Sequence, residues 1–217
     1  MVNAYLYVEG GGDYASLKSE CRKAFSRFLE NAGLKGCLPR VVACGGRTQA
    51  YDMFCMKVRD SERDPSIKAF LLIDSEFPVS ADCETDDERE WKPWKHLSEK
   101  ENSSWEKPEH ASDEQCHFMV QCMESWLLAD RENLKKFYGR NFAEKKLPNS
   151  SAEIEQLDKK EIYKSLEEAT VKTAKGKYSK GGHSFQLLES ANPELICSAS
   201  KWARRFVDTV KDQCKAE

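Results

Sequence analysis

The run IKAFLLID at residues 67–74 constrains the fold more than any other stretch of this chain. Its apolar residues are nearly continuous rather than alternating, so a strand made from it must be covered on both faces. The flanking pattern supplies the cover. AYLYV (4–8) is a second buried strand. An amphipathic helix follows over 13–32, with Leu17, Cys21, Ala24, Phe25, Phe28 and Leu29 on one face. Gly33 and Gly36 end that helix, LPRVVAC (38–44) is the next strand, and Gly45 and Gly46 punctuate it. A helix over about 48–59 then leads into the 67–74 strand. This β-α-β-α-β alternation predicts an α/β fold: a mostly parallel sheet flanked by helices.

The alternation stops after the third strand. Residues 80–114 carry twelve acids against five Lys/Arg, together with Trp91, Trp94 and Trp105. No period survives there, so 79–115 reads as an acidic insertion or loop, of a length that is commonly functional. Its tryptophans are expected to meet a protein partner, ahead of base stacking or anchoring the loop to the domain. Order returns with a strand over 117–121 and one helix over 123–139, whose apolar face is Met123, Trp126, Leu127, Leu134 and Phe137. Residues 150–217 form a helical C-terminal portion with a basic, glycine-containing loop at 175–184. The 217 residues suit a single domain.

A formal net charge of −3 excludes coating nucleic acid by bulk charge, though it permits a local basic groove. Residues 171–217 carry nine Lys/Arg against five acids, the opposite balance to 80–114. Nine scattered cysteines with no C-x-x-C read as free thiols of a reducing compartment, not as a zinc site. There is no run of roughly 18 apolar residues and no signal-peptide pattern, so a cytoplasmic location is expected and a membrane is not.

The chemistry-bearing residues are acids at strand ends. Asp74 and Glu76 follow FLLI, and acids at i and i+2 share a strand face. Glu9 ends the first strand in the same way. Ligand sites of open α/β sheets gather at the carboxyl edge. Clustered carboxylates repel one another unless a cation neutralises them, and oxygen donors suit Mg²⁺ or Mn²⁺. A rival reading takes Gly10, Gly12 and Ala15 as a dinucleotide fingerprint, G-x-G-x-x-A. That reading expects a ribose-binding acid at the end of the second strand, where Ala43-Cys44-Gly45 stands.

Glu9 followed by the Asp-x-acid pair Asp74 and Glu76 resembles the TOPRIM fold of topoisomerases, primases and overcoming-lysogenization-defect nucleases. The resemblance implies Mg²⁺-dependent phosphodiester chemistry, with Glu76 standing where that family's D-x-D motif has Asp. The segments YVEGGGD, CGGRTQAYDMF, LLIDSE, HFMVQCMESWLLAD and YSKGGHSFQLLE are similar to an uncharacterised bacterial TOPRIM-like family. Its genes often lie beside an ABC/SMC-type ATPase in phage-defence neighbourhoods. The resemblance spans nearly the whole chain and implies an ATPase partner.

Further candidates surround this core. Glu124, where the fourth strand turns into its helix, is a fourth ligand, an acid–base group, or a helix-start acid favoured by the macrodipole. Asp130 is a structural or solvated acid, or a further site residue. Gly10 is a candidate phosphate contact, and Gly45, Gly46 and Arg47 offer backbone N–H groups and a guanidinium to another. Asp13 is a helix N-cap or supports a ligand. Lys177 and Lys180 bring positive charge, and His183 a proton-transfer group. His96, His110 and His117 are unassigned. The leading expectation is a divalent-metal-dependent nuclease acting on DNA or RNA, possible as an oligomer. The alternatives are a non-catalytic subunit of an ATPase complex and a nucleotide-binding protein.

Overall fold

The computed structural model describes residues 3–100 and 105–215. Residues 101–104 of the acidic segment and the ends of the chain, 1–2 and 216–217, lie outside the described residues.

Four parallel strands form the sheet: β1 (Asn3–Gly11), β2 (Arg40–Gly45), β3 (Ile67–Asp74) and β4 (Cys116–Met119), in the order β2-β1-β3-β4. Tyr5 to Val8 of β1 run in register with Arg40 to Ala43 on one side, and Ala69 to Leu72 lie opposite them on the other. Helices α1 (Ala15–Leu29) and α2 (Arg47–Arg63) cross between the first three strands. The expected α/β class with a parallel sheet is therefore the observed one, and it is consistent with a TOPRIM-like fold.

Period-two alternation divides the side chains between two layers. Leu6, Val8, Phe70 and Leu72 face α1 and much of the C-terminal portion. The helices after β4 are α4 (Met123–Ala129), α5 (Arg131–Tyr138), α6 (Lys159–Thr170), α7 (Ser184–Ser190), α8 (Pro193–Ala199) and α9 (Lys201–Lys215), the last four belonging to the C-terminal portion. Tyr7, Ala69, Leu71 and Ile73 face α2 and the acidic segment.

The described residues of that segment, expected as an acidic insertion or loop, carry regular structure of their own. The segment contains α3 (Pro93–Lys100) and three 3-10 turns, and it closes the second face of the sheet. Trp91, Trp94 and Trp105 are buried, so they anchor the segment rather than offering a partner surface. Trp94 Nε1 donates to Ser112 O at 3.0 Å, and Trp91 Nε1 to Thr85 O at 2.8 Å. Most of the described acids stay at the surface while the rings go in, so no period marks the segment.

The single helix expected over 123–139 is two. Asp130 ends α4 and caps α5, its Oδ1 accepting Asn133 N–H at 3.0 Å and its Oδ2 accepting Asn192 N–H at 2.8 Å. That makes Asp130 a structural joint. Asp13 is exposed, and Tyr14 occupies the N-cap position of α1 with no side-chain cap bond, so the capping role expected of Asp13 is not seen.

Candidate metal centre

The strand order places β1 and β3 side by side, with the chain leaving β1 for β2 and leaving β3 toward β4 on the opposite side. Loops that diverge in this way open a crevice at the carboxyl edge. Glu9 and Asp74 stand there. One carboxylate oxygen from each of Glu9, Asp74 and Glu76 lies within 4.8 Å of the others.

Each member is held by its surroundings. Asp74 is 3% exposed; its Oδ1 accepts the N–H of Met123 at the start of α4, at 2.9 Å. The Asp74 N–H donates to Glu9 Oε2 at 3.2 Å. Glu76 arrives by a different route from the one expected. The strand ends at Asp74, and Glu76 has φ 65°, a left-handed turn conformation, so strand-face spacing does not bring it to the site. The turn is pinned by Glu76 N–H to Gln121 O at 3.0 Å, and the His96 ring Nε2 meets Ser75 O at 3.1 Å.

The glycines shape the other strand end. Gly10 and Gly11 both pair with Gly45, a bulge in β1 just beyond Glu9. A Cβ on Gly11 would stand 2.7 Å from Lys18 Cα, so only glycine lets the chain turn so tightly over α1.

Burial raises the Asp74 carboxyl well above the ordinary range, with the Glu9 and Glu124 charges adding to the effect and Lys180 and Lys159 opposing it. Burial also raises Glu9, against the favourable influence of Arg47 and the Asp74 N–H. Two lysines offset this negative charge. Lys180 Nζ lies 3.8 Å from Asp74 Oδ2, and Lys159, the first residue of α6, pairs with Glu76. Burial works against the Lys180 charge, yet Asp74, Glu124 and Glu9 together raise its pKa.

Glu124 stands behind this group rather than within it. It is fully buried, with Oε1 accepting the Tyr178 hydroxyl at 2.6 Å and Oε2 accepting the Tyr163 hydroxyl at 3.0 Å. Both oxygens are thereby engaged. His183 is turned toward aromatic neighbours: its Nδ1 lies 3.0 Å from the Tyr138 hydroxyl, and its ring packs against Phe137. Lys177 pairs with Glu167 at 2.8 Å. Gly46 caps α2, and Arg47 lies over the Trp105 ring, 5.2 Å from its centroid.

A cavity of about 400 Å³ opens beside the carboxylates. Glu9, Asp74, Gly10, Gly45 and Lys180 line it, whereas Gly46, Arg47, Glu124 and His183 do not. Sequence reasoning missed Lys159, Tyr163 and Tyr178. A lysine or tyrosine, whether on α6 or in the loop before α7, carries no local signal of a distant carboxylate, and His96 was singled out but had no partner until the fold brought Ser75 to it.

The nine cysteines are free thiols, and among the described residues no helix is long and apolar enough to cross a membrane. The three-carboxylate oxygen set can hold a metal ion. Comparison with curated proteins finds no match, and comparison with solved structures finds none. A family model, in contrast, matches residues 8–211, a span that includes every acid and lysine of the site. The chain belongs to that family, described as a domain of unknown function (DUF4276).

Proposed function

We propose that this protein is a TOPRIM-like, divalent-metal-dependent phosphodiesterase, cleaving nucleic acid. The observation that carries the reading is the convergence of Glu9, Asp74 and Glu76 oxygens within 4.8 Å at the sheet's carboxyl edge. Three carboxylates this close suit a hard cation such as Mg²⁺ or Mn²⁺, since oxygen donors and negative charge are what such ions select. A bound divalent ion supplies Lewis-acid polarisation of a phosphate and a more acidic water.

The chain's own groups do the rest. Met123 N–H holds Asp74, and Asp74 N–H holds Glu9, so two of the three donors are oriented in advance. Lys159 pairs with one Glu76 oxygen, Oε2, and a metal ion bound by that carboxylate competes with the lysine for its charge. Lys180 stands at the cavity wall, placed to hold a phosphate oxygen. Glu124 keeps negative potential behind Asp74 and Lys180. Partnership with an ABC/SMC-type ATPase in phage defence, inside the cell, is supported by the sequence resemblance.

The test is cleavage of DNA and RNA with Mg²⁺ or Mn²⁺ by wild type, Glu9→Gln and Asp74→Asn, repeated with the neighbouring ATPase if one is encoded. Metal-dependent cleavage lost in both variants is the expected result; equal cleavage by all three proteins sinks the reading. A second reading, a non-catalytic subunit, is favoured by the Lys159–Glu76 pair, which neutralises a ligand without any metal. Under it, Mg²⁺ leaves the melting temperature unchanged.

A further inference from the structure

The cavity has Glu9 and Asp74 in its wall but is not built of carboxylates alone. Leu17, Met123 and Phe185 give it apolar walls, and the glycine turn after β1 forms another side. Its volume of about 400 Å³ falls within the range of sites that enclose one small ligand. Gly10 lets this wall pack closely: a Cβ there would come 3.3 Å from the Phe185 ring and 3.0 Å from Cys21 Sγ. The recess is therefore apolar within and ionic at one end, where Glu9, Asp74 and Lys180 stand.

Two exposed aromatics stand on the loops that leave β1 and β3 at this edge. Tyr14, 72% exposed, is two residues beyond Gly12 on the loop leaving β1. Phe77, 50% exposed, directly follows Glu76 on the loop leaving β3. Lys18, whose Cε lies 3.4 Å from where a Gly45 Cβ would be, adds a cation beside the glycine turn.

We infer that the site takes an unpaired nucleotide, seating one nucleoside in the cavity beside a phosphate at the carboxylate end, so that its substrate class is single-stranded nucleic acid. This rests on the metal-dependent reading above. A phosphate meets the ionic end of the cavity, and the group one sugar away from it meets the apolar part. A base in a duplex is paired and stacked, and it reaches such a recess only by leaving the helix. Bases on either side of the seated one are already unstacked in a single strand and can lie on Tyr14 and Phe77. The net charge of −3 accords with recognition by a local seat rather than a broad basic surface.

The experiment measures binding of a short labelled oligodeoxynucleotide, single-stranded or annealed, in Mg²⁺ on ice, using the full chain. The single strand is expected to bind about tenfold tighter or more, the scale of one or more stacked bases. Thymidine 5′-monophosphate should displace it better than inorganic phosphate does. Leu17→Trp, a change at a half-buried helix position that fills the cavity, should cancel the monophosphate's advantage over phosphate. Phe77→Ala should weaken the single strand and leave the duplex unchanged. Melting temperatures of both variants report whether folding is retained, and the wild-type competition stands without them. Equal or tighter binding of the duplex overturns the inference, as does a monophosphate that competes no better than phosphate. Failure of the metal reading gives a different result: no Mg²⁺-induced rise in melting temperature, and single-strand binding indifferent to Mg²⁺ and to Asp74→Asn.

Discussion

Asp74 is nearly inaccessible to solvent, beside Glu9 and in the field of Glu124, and it carries the electrostatic tension of the site. Removing its charge should relieve that tension. Asp74→Asn keeps an oxygen to accept Met123 N–H, so the metal-free variant should melt about 2–4 °C above wild type, the shift expected from roughly 1 kcal/mol in a chain of this size. Mg²⁺ should raise the melting temperature of wild type but not of the variant; calorimetry with and without the ion checks both. The raised carboxyls also set a pH dependence. In the folded protein Asp74 and Glu9 hold protons to higher pH than in the unfolded chain. Their contribution to stability is therefore largest in acid and is lost as pH rises from the ordinary carboxylate range through the elevated folded values. A metal ion competes with those protons. The stabilisation by Mg²⁺ should consequently grow as pH rises through and above the ordinary carboxylate range; a shift that stays constant over that rise contradicts the assignment.

Elements differ in how much of themselves they show in sequence. β1, β3 and α1 were legible because continuous apolar runs and a helical stripe report burial directly. Glu9 and Asp74 were legible with them, since a strand's last residues sit at a sheet edge wherever the sheet is. Glu76 was named correctly for the wrong reason: it reaches the group through a left-handed turn that no periodicity describes. The segment over 79–115 was illegible because its fold depends on a few large rings and backbone bonds, not on a repeat. Trp94 is one of those rings, 5.8 Å from Phe54 of α2 and 6.2 Å from Tyr51. Trp94→Ala should cost about 3–5 kcal/mol, as for other buried aromatics. Were the segment a free appendage, urea denaturation would show almost no change. Glu124 shows the same dependence on tertiary context. Its partners lie 39 and 54 residues away, on α6 and on the loop before α7, so nothing near it in the chain could declare them. Tyr178→Phe leaves one buried carboxylate oxygen without its donor and should cost about 1–3 kcal/mol in the same measurement.

At the scale of the molecule, α9 returns from the C-terminal portion to lock the sheet to the acidic segment. Arg205 donates from Nε to Glu88 O at 2.7 Å, from Nη2 to Asp113 O at 2.8 Å, and from Nη1 to Cys116 O at 3.0 Å. Its Nη1 is also 3.2 Å from His117 Nδ1. A guanidinium that donates to Nδ1 requires that nitrogen to be unprotonated, and burial followed by the Arg205 charge holds the His117 pKa well below its usual value. Phe70 and Phe206 pack against the same ring and offer no compensating charge. In the unfolded chain His117 takes up a proton near its ordinary pKa of about 6.5, while the folded protein refuses it. The unfolded state thus binds more protons below that pH, and stability falls as the solution is acidified, opposite in sign to the carboxylates at the metal site. The two groups separate by substitution. His117→Asn retains an acceptor for Arg205 and removes the titration, so the decline below about pH 6.5 should be shallower by up to about 1.4 kcal/mol per pH unit, one proton's worth. Denaturation of both proteins at a series of pH values measures that slope. Parallel curves would mean that the acid sensitivity of the fold resides elsewhere, and that the Arg205–His117 contact is packing rather than a charged lock.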